Sequence, residues 1–294
     1  NVDNSFSAFL PKAQVTYNWT ENVSTSLSYQ RAYRAGGLSI NTFRAALAPS
    51  GSNQSDLESL GVVNSFDPEF TNNYELAFRS QWFDNDLTLN ANVFYIDYTD
   101  QQVNVQLSSN PLDTLTENVG ESELYGFELE AFATPFDGLD VSANVGFTST
   151  EFSDGSDVLD DVEDFNIDIT GLEFSFAPRW TAGGTVRYTF PSGLFGNARV
   201  RFTDSSFSLV TNEREFDSAT GLTVNNPDLN AENDSRTTLD LTAGYDADNY
   251  RVEIFATNVT NEEFLTFNPA DPNFGAIAVA GDPRVVGGRV LFEY

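Results

Sequence analysis

The sequence predicts an all-β chain, an antiparallel meander of about eleven long strands suited to the wall of a transmembrane β-barrel. Three observations predict it. The hydrophobic period is two rather than 3.6 along most of the chain. Several strands outlast the roughly five or six residues usual in soluble sheets. The connections between them alternate strictly between short and long, as in outer-membrane barrels with short periplasmic turns and long extracellular loops.

The strands are expected near 11–20, 23–35, 70–83, 86–107, 114–135, 138–151, 174–190, 194–209, 235–247, 249–260 and 284–294. Tyr74, Leu76 and Phe78 alternate with Glu75, Ala77 and Arg79. Leu139, Val141, Ala143, Val145 and Phe147 alternate with Asp140, Ser142, Asn144 and Gly146. Leu239, Leu241, Ala243 and Tyr245 alternate with Thr238, Asp240, Thr242 and Gly244. Tyr250, Val252 and Ile254 flank Arg251 and Glu253, and Val286, Gly288, Val290, Phe292 and Tyr294 share the last apolar face. No segment shows a helical stripe of comparable length.

Short turns are expected at Glu21-Asn22, Asp84 to Asp86, Phe136 to Gly138, Pro191 to Gly193, and Asp246 to Asn249. The long connections are 36–69, 108–113, 152–173, 210–234 and 261–283. A compact soluble domain rarely carries even one structureless loop of about twenty residues. Arg79, Arg187, Arg199, Arg201 and Arg251 share the parity of polar neighbours, while the other face is apolar or Gly. That is lipid outside and a wet lumen inside. Alternation alone also fits a β-sandwich with one solvated face.

Composition narrows the function. The 294 residues include no Cys, Met or His, so disulfides, thiolate metal sites and imidazole chemistry are excluded. Forty-four Asp and Glu against fourteen Lys and Arg give a net charge of -30, and Lys12 is the sole lysine. That charge repels phosphate backbones, so no nucleic-acid partner is expected. Aromatics at 14%, with 26 Phe, argue against a disordered acidic chain. No run of 18 apolar residues marks a transmembrane helix, and Asn1 to Ser7 do not read as a signal peptide. No cofactor is expected.

Several segments then carry a resemblance. Tyr33-Arg34-Ala35-Gly36-Gly37 follows a strand, and Asn73-Tyr74-Glu75-Leu76 opens the next. Asn90 to Gln102, Asn118 to Glu121, Tyr125 to Glu130, Ala177 to Trp180, Asn258 to Glu262 and Gly288-Arg289-Val290 continue in order. Taken together they resemble the C-terminal part of the barrel of TonB-dependent outer-membrane receptors. The resemblance implies the C-terminal half of a barrel of about 22 strands, residues 1–294, with plug domain and early strands absent. It implies energy-coupled uptake of a ferric siderophore, cobalamin, haem or oligosaccharide. Its partners are outer-membrane lipid and lipopolysaccharide, plus the TonB energy-coupling complex through the missing N-terminal part. The location implied is a Gram-negative outer membrane. Rival readings are a passive porin-like or adhesin-like barrel, and a soluble β-sandwich binding module.

Candidate sites are few. Tyr33, Arg34, Asn41 and Arg44 open the first long loop and are candidate ligand contacts. Asp154, Asp157, Asp160, Asp161 and Asp164, with Glu163 and Asp168, make a weak Ca²⁺ loop. They lack an EF-hand's ordered spacing, and a solvated acidic loop is the favoured reading. Val290, Phe292 and Tyr294 resemble a barrel assembly signal. The lumen arginines are expected to pair with plug carboxylates or with Glu128 and Glu130. No nucleophile–base pair stands out, so no enzyme is expected.

Overall fold

The computed structural model describes residues 7–106, 113–155, 169–208, 214–217, 222–225, 232–268 and 278–292. Eleven strands form one sheet. They are β1 (Lys12–Asn18), β2 (Val23–Arg34), β5 (Glu69–Trp82), β6 (Leu87–Gln106), β7 (Thr114–Phe136), β8 (Leu139–Asp154), β9 (Trp180–Thr189), β10 (Leu194–Thr203), β15 (Arg236–Asp246), β16 (Tyr250–Thr257) and β19 (Val285–Phe292). Each pairs antiparallel with the next, from β1 to β19, and the sheet does not close. Between them lie four small two-stranded sheets. These are β3 (Gly37–Ile40) with β4 (Val63–Phe66), β11 (Ser206–Phe207) with β14 (Glu232–Asn233), β12 (Arg214–Asp217) with β13 (Leu222–Asn225), and β17 (Leu265–Phe267) with β18 (Val279–Ala280).

Ten of the eleven expected strands begin within two residues of their observed starts. The exception is β9, expected from residue 174 and found from Trp180. Phe174, ahead of it, packs against the rings of Tyr98 and Phe152 rather than pairing in the sheet. The first long connection also holds two short helices that periodicity missed, α1 (Thr42–Ala45) and α2 (Gln54–Ser59). Both are too short for a 3.6-residue stripe. They are set by caps instead: Asn41 accepts from the Arg44 amide, and Asn53 with Asp56 forms a capping box.

The short turns fit their residues. Gly138 and Gly193 take φ of +85° and +86°, where a Cβ would lie 2.3 and 2.5 Å from a carbonyl oxygen. Phe83, Asp84 and Asn85 all adopt left-handed φ in the turn between β5 and β6. Asp and Asn tolerate that region; Phe83 is the strained member.

The registers turn alternation into continuous bands. Val15, Leu27, Leu76, Val93, Phe127, Phe147 and Trp180 are directly opposite one another across seven strands. Above this band, toward the long connections, Tyr29, Tyr74, Tyr95 and Tyr125 form one row. Tyr29 donates to Asn72 and Tyr95 to Glu123, each at 3.0 Å. Beside the short turns stand Trp82, Phe136, Tyr188, Tyr245 and Tyr250. The eight steps from Tyr74 to Trp82 span about 26 Å of strand before tilt. Two aromatic girdles around an apolar band of about that height are what a bilayer imposes on a barrel.

Candidate functional site

The side of the long connections is where the packed core lies. β6 and β7 run past the tyrosine row as a long hairpin. Val103, Val105, Leu115 and Val119 from this hairpin are buried with Phe152 of β8 and Ile169, and Leu172 and Phe174 close over them. The β3–β4 hairpin docks on β7: Asn64 donates to the Thr116 carbonyl at 2.8 Å, and the Thr116 amide donates to Ser39 at 3.0 Å. Gln102, also buried, donates to the carbonyls of Ala35 and Asp67 at 2.9 and 3.0 Å. The sheet thus carries a compact cap at its mouth.

The four candidate contact residues fall in two pairs. Asn41 and Arg44 converge on Asp113, a buried residue in front of β7. Asn41 Nδ2 donates to Asp113 Oδ1 at 2.6 Å; Arg44 donates through Nε at 2.7 Å and Nη2 at 3.1 Å. Arg44 Nη1 also donates to the Leu60 carbonyl at 3.1 Å. This bidentate, charge-assisted junction fastens the first loop to the β6–β7 hairpin. Tyr33 and Arg34 end β2 at the rim, both exposed, with the Tyr33 ring stacked on Phe70. Gly36 turns the chain beside them, where a Cβ would lie 2.4 Å from the Phe66 carbonyl oxygen. Sequence reasoning missed Asp113, because 69 residues separate it from Arg44 and no local pattern links them.

Of the acidic-loop candidates, Asp154 ends β8, opposite Glu121 of β7. Asp157, Asp160, Asp161, Glu163, Asp164 and Asp168 lie outside the described residues. Among the described residues no group of three or more Asp and Glu is placed to hold a metal ion. Val290 and Phe292 stand on the apolar face of β19, opposite Val252 and Tyr250; Tyr294 lies outside the described residues.

The lumen face is charged and ordered. Arg201 pairs with Asp240 at 2.8 Å, and Asp240 also accepts from the Asn258 amide at 3.0 Å. Glu253, buried, receives Arg289 through Nε at 2.9 Å and lies 3.4 Å from Arg251. The Arg251 contact is close but poorly aligned, since its Nε has no hydrogen-bond partner. Among the described residues, these arginines therefore take Asp240 and Glu253 as partners, not Glu128 and Glu130. Asn258, at φ +48°, donates to the carbonyls of Glu262 and Asp282 and accepts from the Glu262 amide. Its side chain thereby ties the end of β16 to the segment entering β19.

A long-stranded antiparallel wall with aromatic girdles, a polar face and a packed cap on the side of the long connections defines the class: an outer-membrane-type β-barrel wall. The particular family follows. Residues 1–261 match the model of the TonB dependent receptor-like, beta-barrel family, and the chain belongs to it. Solved structures agree in fold. The ferric yersiniabactin uptake receptor FyuA of Yersinia pestis is 20% identical, with a TM-score of 0.68 over 95% of this chain and 36% of that one. The siderophore receptor PiuA of Acinetobacter baumannii is 20% identical, with a TM-score of 0.65 over 95% and 35%. The ferripyoverdine receptor of Pseudomonas aeruginosa is 16% identical, with a TM-score of 0.63 over 97% and 33%. The chain spans about a third of the length of these structures. Family and neighbours are transport receptors, not enzymes.

Proposed function

We propose that the chain is the C-terminal part, residues 1–294, of the barrel of an energy-coupled receptor in a Gram-negative outer membrane. Its cargo is a scarce solute, and a ferric siderophore is the first choice over cobalamin, haem or an oligosaccharide. The observation that carries this reading is the eleven-stranded wall, apolar outside and polar inside, in a chain of this family. The likeness to receptors whose names specify siderophores supports the cargo. Outer-membrane lipid and lipopolysaccharide are the partners of the apolar face. The TonB complex is the partner of a preceding N-terminal part.

In this reading Tyr33 and Arg34 contact the solute at the rim, while Asn41 and Arg44 hold the loop in place. The test is uptake of a radiolabelled ferric chelate by cells carrying the full-length receptor as their sole route, with and without functional TonB. Uptake that disappears without TonB supports the proposal. Uptake that persists unchanged makes the barrel a passive porin and overturns it.

A further inference from the structure

The connection entering β9 touches two separate packed clusters. Its residues Leu172 and Phe174 close the first, the cap over β6, β7 and β8, where the Phe174 ring lies 4.8 Å from that of Phe152 and 5.9 Å from that of Tyr98. The backbone is tied there too. The Phe152 amide donates to the Leu172 carbonyl at 3.1 Å, the Gly171 amide to the Phe152 carbonyl at 2.8 Å, and the Phe174 amide to Thr150 Oγ1 at 3.0 Å. Two residues later the chain has changed partners. The Phe176 amide donates to the Phe207 carbonyl of β11 at 2.7 Å, and its ring stacks on that of Phe267 in β17, with centroids 6.3 Å apart.

Phe207 and Phe267 belong to a second cluster. β11 pairs with β14, with Phe207 opposite Glu232. The buried Ser208 hydroxyl donates to Asn233 Oδ1 at 3.2 Å and accepts from the Asn268 amide at 2.9 Å. Asn268 Nδ2 donates to the Glu232 carbonyl at 3.4 Å, which joins the end of β17 to β14. This cluster is built from the connection between β10 and β15 and the one between β16 and β19. The first is built from those between β2 and β5 and between β6 and β7, with the end of β8. Among the described residues, the connection between β8 and β9 is the one that contributes to both.

Phe176 makes this change of partner in a strained conformation. Its φ is +56°, an outlier for a bulky residue. Residues two apart in an extended chain face the same side. The left-handed φ turns the Phe176 ring away from the side that Phe174 occupies. Such a conformation persists only where the surroundings over-determine it. Here they are the Phe207 carbonyl, the Phe267 ring, and the ion pair of Glu173 with Arg179, which closes the segment on itself.

We propose that residues 172–176 are a strap that couples the two clusters, so that ordering or loosening one side of the mouth is felt at the other. In its seated state both rings are docked. In its released state Phe176 relaxes to an ordinary φ and gives up the Phe207 bond and the Phe267 stack. Strain in the seated state opposes its contacts and narrows the gap between the two states. Any event that favours the packed form of one cluster then biases the strap. In the uptake reading above, a solute that orders the rim beside Tyr33 and Arg34 thereby also orders the connections on the far side of β9. The coupling concerns the mouth alone, so it can fail while that reading stands.

Hydrogen exchange of the full-length receptor, purified in detergent, tests the strap. Phe267→Ala removes the ring seat in the second cluster. The amides of Phe152, Gly171 and Phe174 in the first should then exchange about three- to tenfold faster, with β15 and β16 unchanged. Two glycines inserted after Ser175 lengthen the tether and leave both seats intact. In that background Phe267→Ala should no longer reach the first cluster. Phe190→Ala, which removes an exposed ring at a short turn, should change neither cluster. Faster exchange confined to Phe176, Phe207 and Asn268 makes the two clusters independent and overturns the strap. Transmission that survives the insertion also overturns it, since the coupling then runs through the sheet. If Phe267→Ala loosens the whole wall, the milder Phe267→Leu is read by the same two criteria.

Discussion

The sheet wall and the cap at its mouth bury hydrophobic residues in opposite ways. In the wall, Leu27, Val93 and Ile254 are 60%, 56% and 67% exposed to whatever surrounds the chain. In the cap, Val105 and Leu115 are fully buried by the protein itself. In the proposed membrane setting, lipid covers the apolar face of the wall and ladder hydrogen bonds satisfy its backbone. The cap faces water on its outside and must exclude it with its own side chains, like a small soluble domain. The same chemical residues therefore stabilise one region through the solvent and the other through packing.

Breaking the cap's junction should have the largest effect. Asp113→Ala removes the carboxylate to which Arg44 and Asn41 both donate, and should cost the cap about 3–5 kcal/mol. Hydrogen exchange should show lost protection in β3, β4 and the ends of β6 and β7, with β15 and β16 unchanged. Lost protection throughout the wall would make the two regions one cooperative unit. Next, Val93→Arg places a charge in the middle of the apolar band and should cost about 2–4 kcal/mol of folding into lipid vesicles. Asn92→Arg, one residue along but facing the lumen, should cost far less. Equal losses would show that the two faces do not differ as assigned.

Asn258→Ala removes the side chain that ties the end of β16 to the entry of β19. It should cost about 1–3 kcal/mol, read as earlier thermal loss of the folded band on cold gels. Tyr95→Phe should have the smallest effect. It deletes one exposed hydrogen bond to Glu123 and should change stability by about 0.5–1.5 kcal/mol at most. A larger loss would assign the tyrosine row a structural role beyond its place at the interface.

Much of the wall was legible in the sequence because a strand's period is local. Leu139 to Phe147 shows its two faces without any neighbour, and Asp84 to Asp86 or Pro191 to Gly193 announces a turn by residue type. The cap was less legible. Its helices are too short for a stripe, and Phe174 reads as the opening of a strand until its packing against Phe152 and Tyr98 is seen. Asn41 and Arg44 were visible as loop polar residues. Their partner Asp113 was not, because a buried pair far apart in sequence leaves no local trace.

By itself, the sequence determined the all-β class, the sidedness of each strand, the alternation of turns and long connections, and the placing of arginines on the polar face. Each of these follows from residue type and spacing within one segment. Only the tertiary structure decided which strand lies at which register. A shift of two residues between β10 and β15 would preserve every face and still change which side chains meet across the two strands. The Asp113 junction, the Arg289–Glu253 contact and the ties made by Asn258 depend on distances between segments, which the chain's own periodicity does not encode.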